Sequence, residues 1–474
     1  MTALPVRNPR TGIADHAITP ADATAVAREA ARLREGQSAW EQLGIAGRVS
    51  AMLQLAEALE ADTAEIVTAL SLDTGRLAIA GQELRGVVGS IRGWCAMAPQ
   101  LLPQGWTDGR SDARMRHAPQ WVPYRLVGVI SPWNFPLTLS MIDTIPALLA
   151  GCAVLLKPSE VTPRFADPLM AAVARVPEVA AVFGLVQGAG TTGAALVDQV
   201  DAVCFTGSVA TGRKVAVQAA GRLIPAFLEL GGKDPLVITA SADLDRAVTA
   251  ALRGSVLSTG QACQSIERIY VDNAIRAAFT EKLVAAATAT RLNAPEITAG
   301  EIGPIIFDRQ ADILRAHIAD AVAKGAQVLT GGTVEELGGL WLRPTVLVDV
   351  DHSMDVMREE TFGPIMPVMG FDTVDEAIAL ANDSPYGLSA AVIAGTLEEA
   401  EAIGRQIEAG AVSLNDAALT SLFHEAEKNS FKASGLGGSR MGAAGFQRFC
   451  RRKALIANTG APTPLGAFAE DAGR

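Results

Sequence analysis

Residues 202–213 read Ala202-Val203-Cys204-Phe205-Thr206-Gly207-Ser208-Val209-Ala210-Thr211-Gly212-Arg213. An apolar run of strand length breaks at Gly207, and a helical pattern follows from Arg213. A glycine turn at a strand-to-helix junction lets backbone N–H groups and the helix dipole face a pyrophosphate. The same composition also makes a plain tight turn. Gly207 and Gly212 approach P-loop spacing, but Arg213-Lys214 stands where that loop needs Lys-Ser/Thr, which sets nucleoside-triphosphate hydrolysis aside. No G-x-G-x-x-G fingerprint follows this strand, so the expectation is a Rossmann-like unit without the usual glycine signature.

Working outward, apolar runs at 126–130, 153–156, 182–187 and 202–205 alternate with helix-length segments, which predicts a doubly wound parallel sheet. Sheets of that type bind cofactors at strand C-termini. A second series at 235–238, 268–271, 345–348 and 389–393 predicts a second α/β domain after about residue 232. Thr19-Pro20-Ala21-Asp22 reads as an N-cap with proline at the first helical position, opening an Ala-rich helix past Leu33. A second amphipathic helix is expected over 48–70. The Ala/Pro/Gly-rich tail after Arg451 fits a linker, a disordered end or a strand added to a partner subunit.

The chain's 474 residues imply two or three domains, and 49% hydrophobic with 19% charged residues is the balance of a globular enzyme. A formal charge of -11 argues against nucleic-acid or anionic-membrane partners, which need a basic face. Cys95, Cys152, Cys204, Cys263 and Cys450 are odd in number and scattered, so no disulfide framework is expected and a reducing, cytoplasmic compartment is. The first ten residues carry no apolar signal stretch. The most apolar run, 145–156, is too short to span a bilayer. His16, His117, His317, His352 and His424 form no pair at metal-ligand spacing, so no metal site is expected.

Four short motifs carry candidate chemistry. Ser258-Thr259-Gly260-Gln261-Ala262-Cys263-Gln264-Ser265 is small and polar, a poor context for a core cysteine, and marks Cys263 as a candidate nucleophile. Glu229 lies between Leu228 and Leu230, where burial would raise its pKa towards neutrality and suit a general base; a strand-edge salt bridge is the alternative. Pro132-Trp133-Asn134-Phe135-Pro136 places the Asn134 amide in a proline-restricted turn, either as an oxyanion donor or as turn chemistry alone. Lys157-Pro158-Ser159-Glu160 sets a cation and a carboxylate after a strand, as a ribose site or as a solvated surface turn. The carboxylate suits ribose hydroxyls and repels a 2'-phosphate, which favours NAD over NADP.

Together with Phe205 to Ser208, Glu360-Thr361-Phe362-Gly363-Pro364 and Asn382-Asp383-Ser384-Pro385-Tyr386-Gly387-Leu388, these motifs stand in the order of the aldehyde dehydrogenase superfamily, which the chain resembles from Asn8 to about Gly442. The resemblance implies Cys263 as nucleophile, Glu229 as the base for thioester hydrolysis, and Asn134 with the Cys263 backbone N–H as oxyanion hole. It implies Trp133 and Ser208 at a pyrophosphate, Lys157 and Glu160 at the adenosine ribose, and Glu360 with Phe362 at the nicotinamide, with Ser159 and Gly207 also among the cofactor-binding residues. Lys233 would support the Glu229 loop. The cofactor would be NAD, with NADP possible, and the substrate a small-molecule aldehyde. The expected fold is α/β: a Rossmann-like doubly wound cofactor domain (1–104 and 125–231), a second α/β catalytic domain (232–440), and a small β oligomerisation arm (105–124 and 452–462) serving a homodimer or homotetramer.

The chain departs from the family pattern near its C-terminus. Glu427-Lys428-Asn429-Ser430 replaces the usual Pro-Phe-Gly-Gly, and the segment Leu436 to Gly442 lacks the usual glutamate. If the family geometry holds, Phe135, Thr138, Ile142, Leu257, Gln264, Phe423 and His424 line a mostly apolar substrate entrance without a carboxylate-binding arginine, which favours medium-sized aromatic or aliphatic aldehydes. A coenzyme A-acylating dehydrogenase, a thiol-based acyl hydrolase and a catalytically retired relative are the rival readings.

Overall fold

The computed structural model describes residues 2–470. Its first sheet has six strands in the order Gly435–Leu436, Ala226–Glu229, Ala202–Thr206, Leu126–Ile130, Ala153–Lys157 and Phe183–Leu185, parallel except for the first. The chain enters at Leu126–Ile130, runs outward to Phe183–Leu185, then returns to the other side. That reversal opens a crevice beyond the C-terminal ends of Leu126–Ile130 and Ala202–Thr206. The central strands are buried at every position, as a sheet covered on both faces requires.

Helix Pro136–Ala150 follows the first of these strands. Proline occupies its opening turn, and the Glu83 carboxylate, reaching in from helix Leu77–Leu101, accepts from the N–H groups of Leu137 (3.2 Å) and Thr138 (3.0 Å). Most of the helix is buried. Thr138, Leu139 and Ile142, continuing from Phe135, form the one partly open stripe, at helical three-to-four spacing.

The second sheet has seven strands: Gln327–Thr330, Thr345–Val348, Ile365–Phe371, Ile266–Asp272, Asp234–Ile238, Ser389–Ile393 and Ala411–Leu414, parallel except for the first pairing. Glu229 ends a strand of one sheet and Asp234 begins a strand of the other, so the buried link 230–233 joins the C-terminal edge of the first to the N-terminal edge of the second. Both series of strands read from the sequence are present.

Several boundaries move. The first helix is Ala23–Gln42, capped by the Asp22 carboxylate accepting from Ala25 N at 2.8 Å, so Thr19 and Pro20 lie outside it. The stretch 48–70 belongs to two helices, Gly44–Ala61 and Thr63–Thr74, because Asp62 leaves helical geometry between them. The segment 232–440, expected to form the second domain, does not stay in the second sheet to its end: Gly435–Leu436 already pairs with Leu228 and Glu229, and helix Gly442–Gln447 packs on Leu77–Leu101 and Pro136–Ala150.

The arm is a three-stranded sheet of Thr107–Asp108, Met115–Pro123 and Cys450–Asn458. Met115–Pro123 pairs along its whole length with Cys450–Asn458, but on its other side only Arg116 and His117 are paired. The tail after Arg451 therefore continues as a strand on its own chain; residues 471–474 lie outside the described part. Among the described residues, no helix is long and apolar enough to cross a membrane.

Candidate active site

The segment preceding Cys263 is held in an uncommon conformation. Ser258 (φ 61°), Thr259 (φ 61°) and Gly260 (φ 66°) are three successive left-handed residues, two of them with a Cβ. Such backbone persists only where its surroundings over-determine it. Here Thr259 Oγ1 donates to Gly303 O (2.9 Å), Gln261 Nε2 donates to Pro304 O (3.1 Å), and Gln261 Oε1 accepts from Ile306 N (2.9 Å). Cys263 then emerges half-buried, whereas the other four cysteines are buried, and all five are unpaired. Burial pushes the Cys263 thiol up to about 12; Lys428 and Arg440 oppose this, while Glu229 and Asp234 add to it. The resting sulfur is therefore a thiol, and a nucleophile forms only when a proton leaves.

Asn134 is buried beside this loop. Its Nδ2 donates to Gln261 O at 3.0 Å, which spends one of two amide hydrogens and leaves the second for an oxyanion. The buried Arg76 guanidinium donates to Asn134 O, reaches Ser258 O at 3.5 Å and lies over the Phe135 ring at 5.2 Å. Arg76 and Gln261 thus lock the asparagine turn to the loop that carries Cys263. Neither was singled out in the sequence.

Glu229 ends its strand with Oε2 accepting from Lys428 Nζ (3.3 Å) and Ser430 Oγ (3.0 Å). Burial raises its pKa, but Arg440, Lys428, the Ser430 hydroxyl and Arg448 outweigh that and hold it below the ordinary glutamate value. The expected rise towards neutrality is thus overturned. Side chains alternate along a strand, so Leu228 and Leu230 face away from the carboxylate, and cations from 428–448 reach it instead.

Lys233, expected to support the Glu229 loop, directs its side chain to the 360–362 turn. Its Nζ donates to Glu267 Oε2 (2.7 Å) and Thr361 Oγ1 (2.8 Å). Glu267 in turn accepts from the N–H groups of Thr361 (2.7 Å) and Phe362 (2.8 Å). The pair therefore shapes the Glu360–Phe362 turn, in which Phe362 adopts φ 52° and meets the Trp133 ring edge-on at 5.3 Å. Burial, followed by Glu267, pushes Glu360 up to about 8, while Gly232 N donates to its Oε1 at 3.3 Å. A glutamate and an arginine inside the apolar strand Ile266–Asp272 were the signal for this network.

The remaining nucleotide candidates ring the first sheet's C-terminal edge. Lys157 is buried, with Nζ donating to Pro158 O (2.9 Å) and lying 3.4 Å from Glu160 Oε2. Ser159 Oγ accepts from Val161 N, bracing that turn. Ser208 caps helix Val209–Gly221 by accepting from Thr211 N at 3.3 Å, with Gly207 before it. A G-x-G-x-x-G run does occur, one strand away from where it was sought: Gly188 to Gly193 follows Phe183–Leu185 and opens helix Gly190–Val197. It lies at the sheet's outer edge rather than at the central crevice. There a Cβ on Gly193 would stand 3.6 Å from Lys157 Cδ, so the helix backs that lysine. A buried cation, a half-exposed carboxylate, a helix N-terminus and a half-buried Glu360 around one crevice fit a dinucleotide.

Among the substrate candidates, Phe135, Thr138 and Ile142 share the open stripe of helix Pro136–Ala150. Gln264 bonds Thr420 Oγ1, tying the segment that carries Phe423 and His424 to the residue after Cys263. Leu257, Phe423 and His424 are solvent-exposed, which places them at a mouth rather than inside a closed pocket. Among the described residues, no group of three or more His, Cys, Asp or Glu side chains is placed to hold a metal ion.

Fold and site thus define a doubly wound α/β protein with a thiol, a carboxylate and an amide gathered where two parallel sheets abut. Residues 1–455 match the sequence model of the aldehyde dehydrogenase family. The structure resembles a protein of Anabaena variabilis, provisionally named aldehyde dehydrogenase PutA, at 53% identity and TM-score 0.96 over 98% of this chain and 99% of that one. It also resembles betaine aldehyde dehydrogenase of Staphylococcus aureus in complex with NAD+, at 28% identity and TM-score 0.91 over 99% and 94%. By sequence, the chain is 38% identical over 90% of its length to 83% of a Mycolicibacterium smegmatis protein provisionally named succinate-semialdehyde dehydrogenase (NADP(+)). The chain belongs to the aldehyde dehydrogenase family.

Proposed function

We propose that this oxidoreductase converts a medium-sized aromatic or aliphatic aldehyde to its carboxylic acid, with NAD(P) as acceptor, through a thioester on Cys263. The reading rests on one observation: the chain's single half-buried thiol sits in a strained, over-determined loop bonded to Asn134 and close to the ionised Glu229. Trp133, Lys157, Glu160, Ser208, Glu360 and Phe362 would hold the cofactor. When bound, NAD(P) supplies the acceptor for the aldehyde hydride. Cys263 gives its thiol proton to solvent water as its sulfur adds to the carbonyl carbon, and the oxyanion meets the free Asn134 amide hydrogen and the Cys263 N–H. Hydride departure leaves a thioester. Glu229 takes a proton from water, the hydroxyl adds to the acyl carbon, and the carbon–sulfur bond breaks to free the acid.

For the substrate, the apolar stripe of Phe135, Thr138 and Ile142 supports an uncharged side chain. The name of the mycobacterial relative points to an anionic one. The cations nearest the site are already engaged, Lys428 by Glu229 and both Arg440 and Arg448 by Asp143, which favours the apolar reading. Glu160 favours NAD over NADP. The open side of the arm sheet, with Ile456 exposed, supports a homodimer or homotetramer, and five unpaired thiols support a cytoplasmic location.

The test is an aldehyde panel with NAD or NADP, with and without coenzyme A. Reduced cofactor should form without coenzyme A, Cys263→Ala should abolish it, and Glu229→Gln should leave a burst followed by slow turnover. A strict coenzyme A requirement, or full activity in Cys263→Ala, refutes the proposal.

A further inference from the structure

Lys428 occupies the segment where the chain leaves its family's pattern. The side chain is 4% exposed, and among the described residues the Glu229 carboxylate is the one hydrogen-bond partner of its ammonium. Its backbone is fixed independently: Lys428 N donates to Ser439 Oγ at 3.1 Å, and the neighbouring Glu427 carboxylate accepts from Ala444 N at 2.7 Å. The strap that delivers the ammonium is therefore built whether or not the ion pair forms. A buried ion pair with so few other partners is costly to desolvate, and replacing both of its members with well-packed apolar side chains is often neutral or stabilising. Stability therefore does not by itself call for an ion pair here.

The geometry of the carboxylate does. Lys428 Nζ and Ser430 Oγ both bind Glu229 Oε2, while Oε1 accepts no hydrogen bond among the described residues. Arg440 and Arg448 also act on this carboxylate through space, but their guanidinium groups bond to Asp143, and Arg440 additionally to Thr206 Oγ1 at 2.7 Å.

We propose that Lys428, with Ser430, is a positioning residue of thioester hydrolysis, gripping one oxygen of Glu229 so that the other is presented, ionised, to the hydrolytic water. The inference rests on the assignment of Cys263 and Glu229 made above. In the step it serves, Oε1 takes a proton from water, the water oxygen bonds to the acyl carbon, the carbon–sulfur bond breaks, and its electron pair returns to sulfur. The charged groups facing Glu229 are Arg440, Lys428 and Arg448; those facing Cys263 are Lys428, Glu229, Arg440 and Asp234. Loss of Lys428 leaves the arginines in place, so the Glu229 pKa rises but stays partly held down by them.

The step can be read without cofactor. p-Nitrophenyl acetate acylates a reactive thiol directly, and rapid quench with intact-mass detection follows loss of the acetyl group from Cys263 as a function of pH. In Lys428→Met the acid limb of deacylation should move up by about one pH unit, so that the rate at a given pH on that limb should fall about tenfold, the effect of removing a close opposite charge. Ser430→Ala should move it the same way by less, and Lys428→Arg should restore the parent limb. An unchanged limb in Lys428→Met, with Cys263 acetylated normally, overturns the proposal while sparing the assignment of Cys263. Failure of the parent enzyme to acetylate at Cys263 overturns both.

Discussion

Gly260 offers the sharpest test of how the nucleophile is positioned. A Cβ at this residue would lie 2.3 Å from Gly363 O, 2.4 Å from Gly363 C and 2.8 Å from Pro364 N, all backbone atoms of the turn that carries Glu360 and Phe362. The left-handed φ of 66° alone would cost about 1–2 kcal/mol, and neighbouring Ser258 and Thr259 already bear such geometry. The contact is the larger effect. Restoring ordinary separation requires roughly 1 Å of movement between two backbones, at an overpacking cost of about 1–3 kcal/mol. A displacement of that size at a reacting group lowers rates about a hundredfold. Gly260→Ala should therefore lose kcat/KM by that factor and melt several degrees lower, because the nucleophile loop and the cofactor turn are pushed apart together. Gly86 serves as the control: it is exposed in helix Leu77–Leu101 with no atom within 4 Å of an added Cβ, so Gly86→Ala should stabilise by about 0.5–1 kcal/mol and leave kinetics alone. Steady-state kinetics with thermal melts decide the matter, and a Gly260→Ala enzyme with parental rate and stability refutes the close-approach reasoning.

Glu267→Gln removes the charge opposite the buried Lys233, so stability should fall by about 3–5 kcal/mol in chemical denaturation, and the KM for cofactor should rise as the Glu360–Phe362 turn loosens; unchanged values of both would show that the pair does not hold the turn. Glu360, at about 8 in the fold against 4.5 ordinarily, binds more protons folded than unfolded between those values, so its contribution to stability declines as pH rises through that window. Glu360→Gln should thus raise the cofactor-free melting temperature at pH 9 more than at pH 5, and equal shifts at both would contradict the assigned burial. Glu160→Gln should narrow the preference for NAD over NADP about fivefold, the effect of removing one charge near a partly exposed phosphate site, as measured by the ratio of kcat/KM values; an unchanged ratio places the 2'-hydroxyl elsewhere.

How far each residue could be read depended on the range of the interaction that defines it. The two strand series are local, because parallel strands buried on both faces need continuous apolar runs, and those runs stand in the sequence at 126–130, 202–205, 235–238 and 268–271. Short motifs mark Cys263, Asn134 and Glu360 as candidates in the sequence, and the fold sets Asn134 against the loop that carries Cys263. Helix boundaries shifted at Asp22 and Asp62, where a side-chain cap and a backbone break decide between equally apolar alternatives. Gly188 to Gly193 was passed over although its pattern is local.

What the sequence by itself determined is the alternation of strands and helices and the ordered motifs, with Cys263 and Glu229 as the candidate thiol and carboxylate. Only the tertiary structure decided the state of that carboxylate. Glu229 sits between leucines in sequence but beneath Lys428 and Arg440 in space, with 199 residues separating it from Lys428. A pKa is set by the charges within a few ångströms, and in a sheet whose edge strand arrives from the far end of the chain, the nearest charges are distant in sequence.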